Sequence, residues 1–258
     1  MKHYEKMAEL GCFSRDEICG LLGNNAAAHS TLYDYTQKGL IERVRRDLYV
    51  ALDYETKCPL ANRYAIASHI SDGSYITHHS AFEYFGCANQ VYYEVYVSDC
   101  KPFTEFEYNS VTYKYVSPSI ESGISLDKGL DIRTTDVERT ILDGIKNFDK
   151  IGGLEELLNC LGLISSVNED TLLNYLSEYH QIFLYQKTGY ILSHFCDQMH
   201  LHNNFFEKCR NEITATKRYL SSYLNKKELM LDKKWNLFVP KDLLSIIGKG
   251  VPSDYYEL

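Results

Sequence analysis

Apolar positions recur with helical spacing over the first 40 residues, and local start and stop signals divide them into three helices. A first helix is predicted over residues 4–10. Ser14 and Glu17 have the spacing of a capping box, which starts a second helix that ends at Gly23. A third helix is predicted from about Ala26 to Lys38 and ends before a glycine.

The third helix has two different faces when its residues are placed 100° apart. The apolar face contains Ala28, Leu32 and Tyr35. The polar side contains Asn25, His29, Ser30, Tyr33 and Gln37. We therefore expect the apolar face to pack on a core and the polar side to stay free for a partner.

Two strands follow, at residues 40–44 and 48–51, and Arg45, Arg46 and Asp47 join them as a tight turn. Three helices followed by a two-stranded ribbon is the element order of a winged helix-turn-helix. We predict that residues 1–55 form a winged helix-turn-helix DNA-binding domain. A three-helix unit without a DNA-binding function remains the alternative.

The pattern changes after a linker at residues 53–61. A strand is predicted at 91–97, a hairpin turns at Asn109-Ser110, and a second capping box is predicted from Thr135 to Glu138. Mostly helical sequence follows over residues 153–196, with further short strands near 219–224 and 235–239. The fold class is therefore predicted as α+β, with residues 62–258 as a second, larger mixed α+β domain.

Composition and charge narrow the class of protein. The 258 residues are 45% apolar and 24% charged, which is ordinary for a globular protein, and no stretch is long and apolar enough for a membrane span. No signal-peptide core follows the first residues. The eight cysteines, none in a Cys-x-x-Cys pair, are then expected to be reduced thiols, so we predict a cytoplasmic protein without membrane association.

The candidate DNA contacts are the polar side of the third helix and the basic ribbon. The helix residues would meet base edges in the major groove, and the ribbon arginines would meet phosphates or a narrow minor groove. The predicted contacts are Asn25, His29, Ser30, Tyr33, Gln37, Arg43, Arg45 and Arg46. The alternatives are a solvated helix face and a solubilising turn.

Charge limits how tightly one copy can bind. The net charge is −8, which argues against a nucleic-acid coat protein, and residues 26–52 carry only +1. One copy is therefore expected to bind DNA weakly, and two copies on repeated half-sites would compensate. We predict a monomer or weak dimer that binds cooperatively to operator DNA with inverted repeats.

A second nucleic-acid surface is predicted near the end of the chain, where residues 205–250 contain ten basic and five acidic side chains. The lysines that would form it are Lys226, Lys227, Lys233 and Lys234. A solvated face is the alternative.

The sequence signals for an enzyme are weaker than those for DNA binding. The group His194, Cys196, His200 and His202 is cramped for a zinc site, and Asp99 with Lys101 is a short acidic-x-Lys match of a kind common by chance. Gly73-Ser74 is not followed by the Asp-x-Asp pair of a nucleotidyltransferase, and the adjacent His78 and His79 are more often structural. We predict no catalytic residues, no metal and no cofactor.

Several segments together resemble one family. The ribbon segment 39–49 resembles the wing of AbiEi-type antitoxins of type IV (abortive infection) toxin–antitoxin systems, except that Asp47 stands where that wing often has glycine. Residues 75–86 are similar to the family's strand-then-helix signature, residues 136–143 to its Glu-Arg-Thr helix, and residues 234–237 to its closing tryptophan segment. These matches span about residues 13–240.

The resemblance implies a function that composition does not supply. Such proteins are DNA-binding antitoxins and transcriptional autorepressors, encoded beside a nucleotidyltransferase-like toxin that they counter without a tight physical complex. The winged helix would bind inverted repeats in the promoter of its own operon, and the second domain would carry the antitoxin activity.

Two other functions remain open. The first is a winged-helix regulator whose second domain senses a ligand, which a deep pocket lined by polar groups would favour. The second is a DNA-tethered nuclease or metal-dependent hydrolase. Metal at residues 194–202, or DNA cleavage that requires Asp99 and Lys101, would favour it.

Overall fold

A computed structural model describes residues 3–222, 224 and 228–247 of the chain. The fold is α+β, as predicted. The helices are α1 (Tyr4–Leu10), α2 (Arg15–Leu22), α3 (Asn25–Gln37), α4 (Arg63–Ser68), α5 (His79–Tyr84), α6 (Val137–Lys146), α7 (Leu154–Gly162), α8 (Glu169–Tyr179), α9 (Ile182–Leu192), α10 (Cys196–Met199) and α11 (Asn203–Asn211).

The strands form three sheets. Their bounds are β1 (Cys12–Ser14), β2 (Ile41–Arg45), β3 (Leu48–Ala51), β4 (Tyr75–Ile76), β5 (Glu94–Ser98), β6 (Phe106–Tyr108), β7 (Val111–Val116), β8 (Ile124–Asp127), β9 (Ile132–Thr135), β10 (Arg218–Tyr219), β11 (Leu229–Asp232) and β12 (Leu237–Pro240). Short 3₁₀ helices cover Phe148–Ile151 and Leu244–Ile246.

The chain divides by its internal contacts into two compact units. The first unit contains the described residues up to Ile76, together with Tyr93–Pro118 and Ser125–Thr134. The second unit contains Thr77–Tyr92, Ser119–Ile124 and the described residues from Thr135 onwards. The domain boundary expected at residues 55–62 stays a prediction from the sequence.

The first unit begins with three helices and a small sheet around one apolar core. The predicted capping box starts α2, because the Ser14 hydroxyl accepts a hydrogen bond from the Glu17 N–H while the Glu17 carboxylate accepts from the Ser14 N–H. Asn24 caps α3 by accepting from the N–H groups of Ala26 and Ala27. Strand β1 was not predicted; it pairs antiparallel with β3 and makes the ribbon a three-stranded sheet, in the order β1-β3-β2.

The ribbon contains an irregularity that changes where its side chains point. Arg43 pairs with Tyr49, but Arg45 pairs with Leu48, so one residue of β2 is left without a partner between them. Directly paired residues in antiparallel strands face the same side, and neighbouring residues face opposite sides. The bulge therefore turns Arg45 to the face opposite Arg43, whereas a regular strand would place both on one face.

The first unit also contains nearly all of a mixed six-stranded sheet, in the order β6-β7-β5-β4-β9-β8. β5 pairs parallel with β7 and antiparallel with β4, and the predicted hairpin joins β6 and β7. Asn109 and Ser110 at its turn both have positive φ, as a two-residue primed turn requires.

The second unit is mainly helical and has a large apolar core. Helices α5 to α9 and α11 contribute to this core, and so does the three-stranded sheet β10-β12-β11. Trp235 is its largest fully buried side chain, and it lies against Gly189 of α9, where a Cβ atom would come within 2.1 Å of the ring. No other residue fits at this position of α9 without moving the tryptophan.

Three predicted elements in the later part of the chain exist, but each begins a few residues later than predicted. The N-cap of α6 is Asp136, which accepts from the Arg139 N–H, whereas Thr135 ends β9. Trp235 lies in the turn before β12 rather than in a strand. Residues 91–93 precede β5, which begins at Glu94.

Candidate nucleic-acid interface

Helix α3 holds the predicted DNA contacts on its solvent side. Ala28, Leu32 and Tyr35 are buried in the first unit's core and fix the rotation of the helix. The five polar residues chosen from the sequence are all exposed: Asn25, His29, Ser30, Tyr33 and Gln37. The Tyr33 ring is 65% exposed, so its hydroxyl and ring face are accessible to a partner.

The start of α3 is held by polar contacts as well as by its cap. The thiol of Cys19 on α2 donates a hydrogen bond to the Asn25 carboxamide oxygen at 3.1 Å. This contact orients the Asn25 side chain at the first turn of α3, the turn that would face base edges in a recognition helix.

The three ribbon arginines are in different environments. Arg43 and Arg46 are exposed, and the Arg43 Nε donates to the Arg45 carbonyl at 3.1 Å. Arg45 is half-buried, with its guanidinium over the rings of Phe103 and Phe106 and one nitrogen, Nη1, buried without a hydrogen bond among the described residues. The structure thus leaves two of the three arginines free to meet a phosphate.

Acidic side chains neutralise part of the positive charge nearby. Asp47 at the ribbon turn lies 3.7 Å from Arg15 Nε and 3.5 Å from Arg46 Nε. Asp47 has φ +60°, the conformation that glycine adopts most easily. Lys38 pairs with Asp34 at 2.6 Å. Exposed pairs of this kind are weak, so a phosphate can displace them.

The predicted second surface is described only in part. Lys233 and Lys234 are exposed in the turn between β11 and β12, and the Lys234 Nζ lies 5.9 Å from the centre of the Trp235 ring. Lys226 and Lys227 lie outside the described residues.

Helix α6 contains most of the segment that resembles the Glu-Arg-Thr helix of AbiEi-type antitoxins. It carries a buried charge network rather than an exposed site. Arg139 and Asp143 form an ion pair at 2.8 Å, both almost fully buried. Arg139 also donates to the carbonyls of Ile120 and Ser122, and the Tyr179 hydroxyl donates to Asp143 at 2.7 Å. The network fixes the segment before β8 against α6 and α8.

The adjacent histidines are buried parts of the same unit. Burial lowers the pKa of His78 to about 4, outweighing the neighbouring Asp143 carboxylate, so the ring is neutral at pH 7. His78 Nδ1 lies 3.0 Å from the Thr77 hydroxyl, and Thr77 donates to Asp143. His78 also has φ +53°, which a β-branched or bulky residue adopts only with strain.

The acidic-x-Lys match considered for a nuclease, Asp99 with Lys101, is held by hydrogen bonds within the protein. Asp99 is buried and accepts hydrogen bonds from the hydroxyls of Ser71 and Ser74 and from the Lys101 N–H. Burial alone would raise the pKa of Asp99, but these donors together hold it below its usual value. They stabilise the carboxylate in its charged form.

Potential metal ligands come together at a place that the sequence did not indicate. Among the residues that the structure covers, the group of three whose ligand atoms lie within 4.8 Å of one another is His79, Glu156 and Cys160, not residues 194–202. His194 instead meets the ring of Tyr190, and His202 lies 3.2 Å from Glu169. The signal available was Glu156 and Cys160 at i, i+4 on one helix, but their partner is 77 residues away.

A pocket in the second unit is small and apolar. It has a volume of about 10 Å³ beside α5 and α6, and its lining residues are Phe82, Phe85, Cys87, Val137, Thr140 and Ile164. Pockets for small ligands usually measure roughly 300–1,000 Å³ and hold several polar groups, so this one does not favour a sensor of polar ligands. No helix among the described residues is long and apolar enough to cross a membrane.

Comparison with known proteins finds a structure of similar fold but no matching family. No protein-family model matches the sequence, and no curated protein matches it significantly. The fold is similar to that of the RV2827C protein from Mycobacterium tuberculosis, with a TM-score of 0.60 at 10% sequence identity. The match covers 95% of this chain and 92% of that one, so the two proteins share an arrangement of elements along their whole length.

Proposed function

We propose that this protein is a DNA-binding antitoxin and transcriptional autorepressor, and that its first three helices and ribbon act as a winged helix-turn-helix. The observation that carries the DNA-binding part is the composition of the solvent face of α3. A helix that is capped by Asn24, packs by its apolar face and exposes mainly polar side chains, with only Ala26 and Ala27 apolar among its exposed residues, has the form of a recognition helix.

In this proposal the residues of α3 read bases, and two arginines hold phosphates. Asn25, Ser30 and Gln37 offer donors and acceptors to base edges, and His29 and Tyr33 extend the contact surface. Arg43 and Arg46 contact the backbone from the ribbon. Arg45 has a supporting role, because its guanidinium packs on two aromatic rings of the same unit.

Affinity then depends on two copies. A single ribbon with two free arginines and an acidic turn neutralises few phosphates, and each phosphate contact contributes a separate part of the salt-dependent affinity. We propose that two copies, each monomeric or weakly dimeric in solution, bind cooperatively to inverted repeats upstream of their own gene.

The test is competition between this upstream DNA and shuffled DNA of the same composition. The wild-type protein is expected to prefer the upstream DNA by at least about 1,000-fold. Asn25→Ala with Ser30→Ala is expected to reduce that preference by at least about 30-fold, since two base contacts are lost and each contributes about 1–3 kcal/mol.

A matched control exists on another helix. Asn174 and Ser177 are exposed on α8, so Asn174→Ala with Ser177→Ala removes the same side-chain types far along the chain. This variant should keep the wild-type preference. Equal binding of upstream and shuffled DNA by the wild type would remove the repressor function.

The antitoxin part of the proposal is supported by the resemblance of the sequence segments. The protein would act in the cytoplasm, without enzymatic activity and without a tight complex, against a nucleotidyltransferase-like toxin encoded beside it. The residues of the Glu-Arg-Thr segment that anchor α6 are buried, so toxicity would be relieved through other, exposed residues of the second unit. Co-expression with the neighbouring gene product tests this: loss of growth inhibition supports it, and unchanged inhibition contradicts it.

The basic turn that carries Lys233 and Lys234 is proposed as part of a second nucleic-acid surface. Lys233→Glu with Lys234→Glu is expected to weaken repression or protection from the toxin. If repression and protection are both unchanged, these lysines are only solvent-exposed residues of the turn.

A further inference from the structure

We propose that His79, Glu156 and Cys160 bind a divalent cation of the zinc type inside the second unit. Nitrogen, oxygen and sulfur ligands of this kind together are typical of zinc, which binds all three. The proposal does not rest on the DNA-binding function.

Two helices bring the three side chains together. His79 is the first residue of α5, while Glu156 and Cys160 lie one turn apart on the same face of α7. All three are buried to 99% or more. A site on two packed helices is rigid enough to select a coordination geometry.

Two distances between the ligand atoms match those of a tetrahedral zinc centre. In the absence of metal both are hydrogen bonds to Glu156 Oε1, 3.4 Å from His79 Nε2 and 3.6 Å from Cys160 Sγ, and all three ligand atoms lie within 4.8 Å of one another. With metal–ligand bonds of about 2.0–2.3 Å, the edges of such a tetrahedron are about 3.4 Å between nitrogen and oxygen and about 3.6 Å between sulfur and oxygen. A cation that replaced these two hydrogen bonds would keep both distances.

The same site contains buried polar atoms without partners. Glu156 Oε2 and His79 Nδ1 are both buried and lack a hydrogen bond among the residues that the structure describes. An unpaired carboxylate oxygen in a buried position is unfavourable, because its hydration is lost and nothing replaces it. A cation bound by both carboxylate oxygens would satisfy Oε2, which has no hydrogen bond among the described residues.

The surroundings provide the supporting contacts that metal sites use. Glu156 Oε1 accepts hydrogen bonds of 2.9 Å from the N–H groups of both Asn89 and Gln90, which orients the carboxylate. Such outer contacts position metal ligands and tune their affinity. A water molecule would complete the four ligands.

Binding would replace a proton. Without metal, the Cys160 thiol donates a hydrogen bond to Glu156 Oε1. On binding, the S–H bond breaks, a sulfur–metal bond forms, and the proton leaves to solvent. The bound cation would fasten residues 89–90, which donate to Glu156, to α7 and stabilise the second unit.

Co²⁺ is the probe, because a tetrahedral cobalt–thiolate centre absorbs visible light and the corresponding zinc centre does not. One equivalent of Co²⁺ added to the reduced full-length protein should give thiolate-to-metal charge-transfer absorption, and Zn²⁺ should displace it. Zinc at 100–1,000 times its Kd should raise the Tm by roughly 5–10 °C. Cys160→Ser should lose both signals, and Glu156→Gln should bind at least about 100-fold more weakly.

Cys209 provides the matched control. It is as fully buried as Cys160 but belongs to no group of potential ligands among the described residues, so Cys209→Ser should keep both signals. If Cys160→Ser fails to fold, the wild type decides. Folded wild-type protein without the cobalt absorption, or absorption that survives in a folded Cys160→Ser variant, overturns the proposal.

Discussion

The guanidinium of Arg45 lies 5.0 Å from the centre of the Phe106 ring and 5.4 Å from that of Phe103. A second contact supports the same strand of the ribbon, because the Tyr108 hydroxyl donates to Glu42 at 2.7 Å. The ribbon is therefore held by residues of β6 and the loop before it, within one compact unit. An arginine in this position orients the ribbon and has little freedom to follow a phosphate.

This arrangement separates the roles that the ribbon arginines would have in the proposed DNA binding. Arg43→Ala with Arg46→Ala should reduce the slope of log affinity against log salt concentration by about 2, because two phosphate contacts disappear. Arg45→Ala should weaken binding with an almost unchanged slope, since it disturbs the position of the ribbon. Binding isotherms at several salt concentrations measure both effects. A slope that falls by about 1 in Arg45→Ala would show that Arg45 also contacts a phosphate.

The buried ion pair in α6 should be far more important for stability than an exposed one. Asp143→Asn leaves the Arg139 guanidinium buried without a counter-charge and should lower the free energy of unfolding by about 3–5 kcal/mol. Asp34→Asn breaks the exposed pair with Lys38 and should cost at most about 0.5 kcal/mol. Urea unfolding of both variants provides the comparison, and similar losses would contradict the structural role of the pair.

The contact between Gly189 and Trp235 predicts intolerance of a single methyl group. Gly189→Ala would place a Cβ atom 2.1 Å from the indole ring, so the ring must move and the free energy of unfolding should fall by about 2 kcal/mol or more. Gly162 of α7 has no atom within 4 Å of an added Cβ, and Gly162→Ala should leave stability equal or slightly higher. Thermal unfolding of the two variants measures the difference; a stable Gly189→Ala protein would show that the tryptophan packs elsewhere.

The buried His78 predicts a loss of stability in mild acid. Its folded-state pKa is about 4 and its ordinary pKa 6.5, so between these values the unfolded chain binds more protons and stability falls as the pH falls. The full effect is about 3 kcal/mol, at 1.36 kcal/mol per pKa unit. His78→Asn, which has a polar side chain that does not titrate, should flatten the profile between pH 6.5 and 4. Unfolding across this range measures it, and a profile as steep as that of the wild type would contradict it.

Elements set by neighbouring residues could be predicted from the sequence, and those set by distant contacts could not. The Ser14–Glu17 capping box, α3 and the Asn109-Ser110 turn depend on local geometry, and the structure confirms them. Strand β1 has three residues and exists because β3 lies beside it. Three residues are too few for a hydrophobic period to be recognised.

The same distinction between local and distant contacts decides which candidate sites could be predicted from the sequence. The solvent face of α3 follows from helical periodicity alone, so Tyr33 and its neighbours were found. The different position of Arg45 depends on a bulge that only the pairing of β2 with β3 defines. The group of His79, Glu156 and Cys160 depends on the packing of α5 against the face of α7, which no spacing within either helix specifies.

The most direct measurement is a footprint of the protein on the DNA upstream of its own gene. We expect two protected half-sites related by inverted symmetry. Both should lose protection together as the protein is diluted, and the double variant Asn25→Ala, Ser30→Ala should give no protection. Protection of no particular sequence, or an unchanged footprint in that variant, would contradict a recognition role for α3.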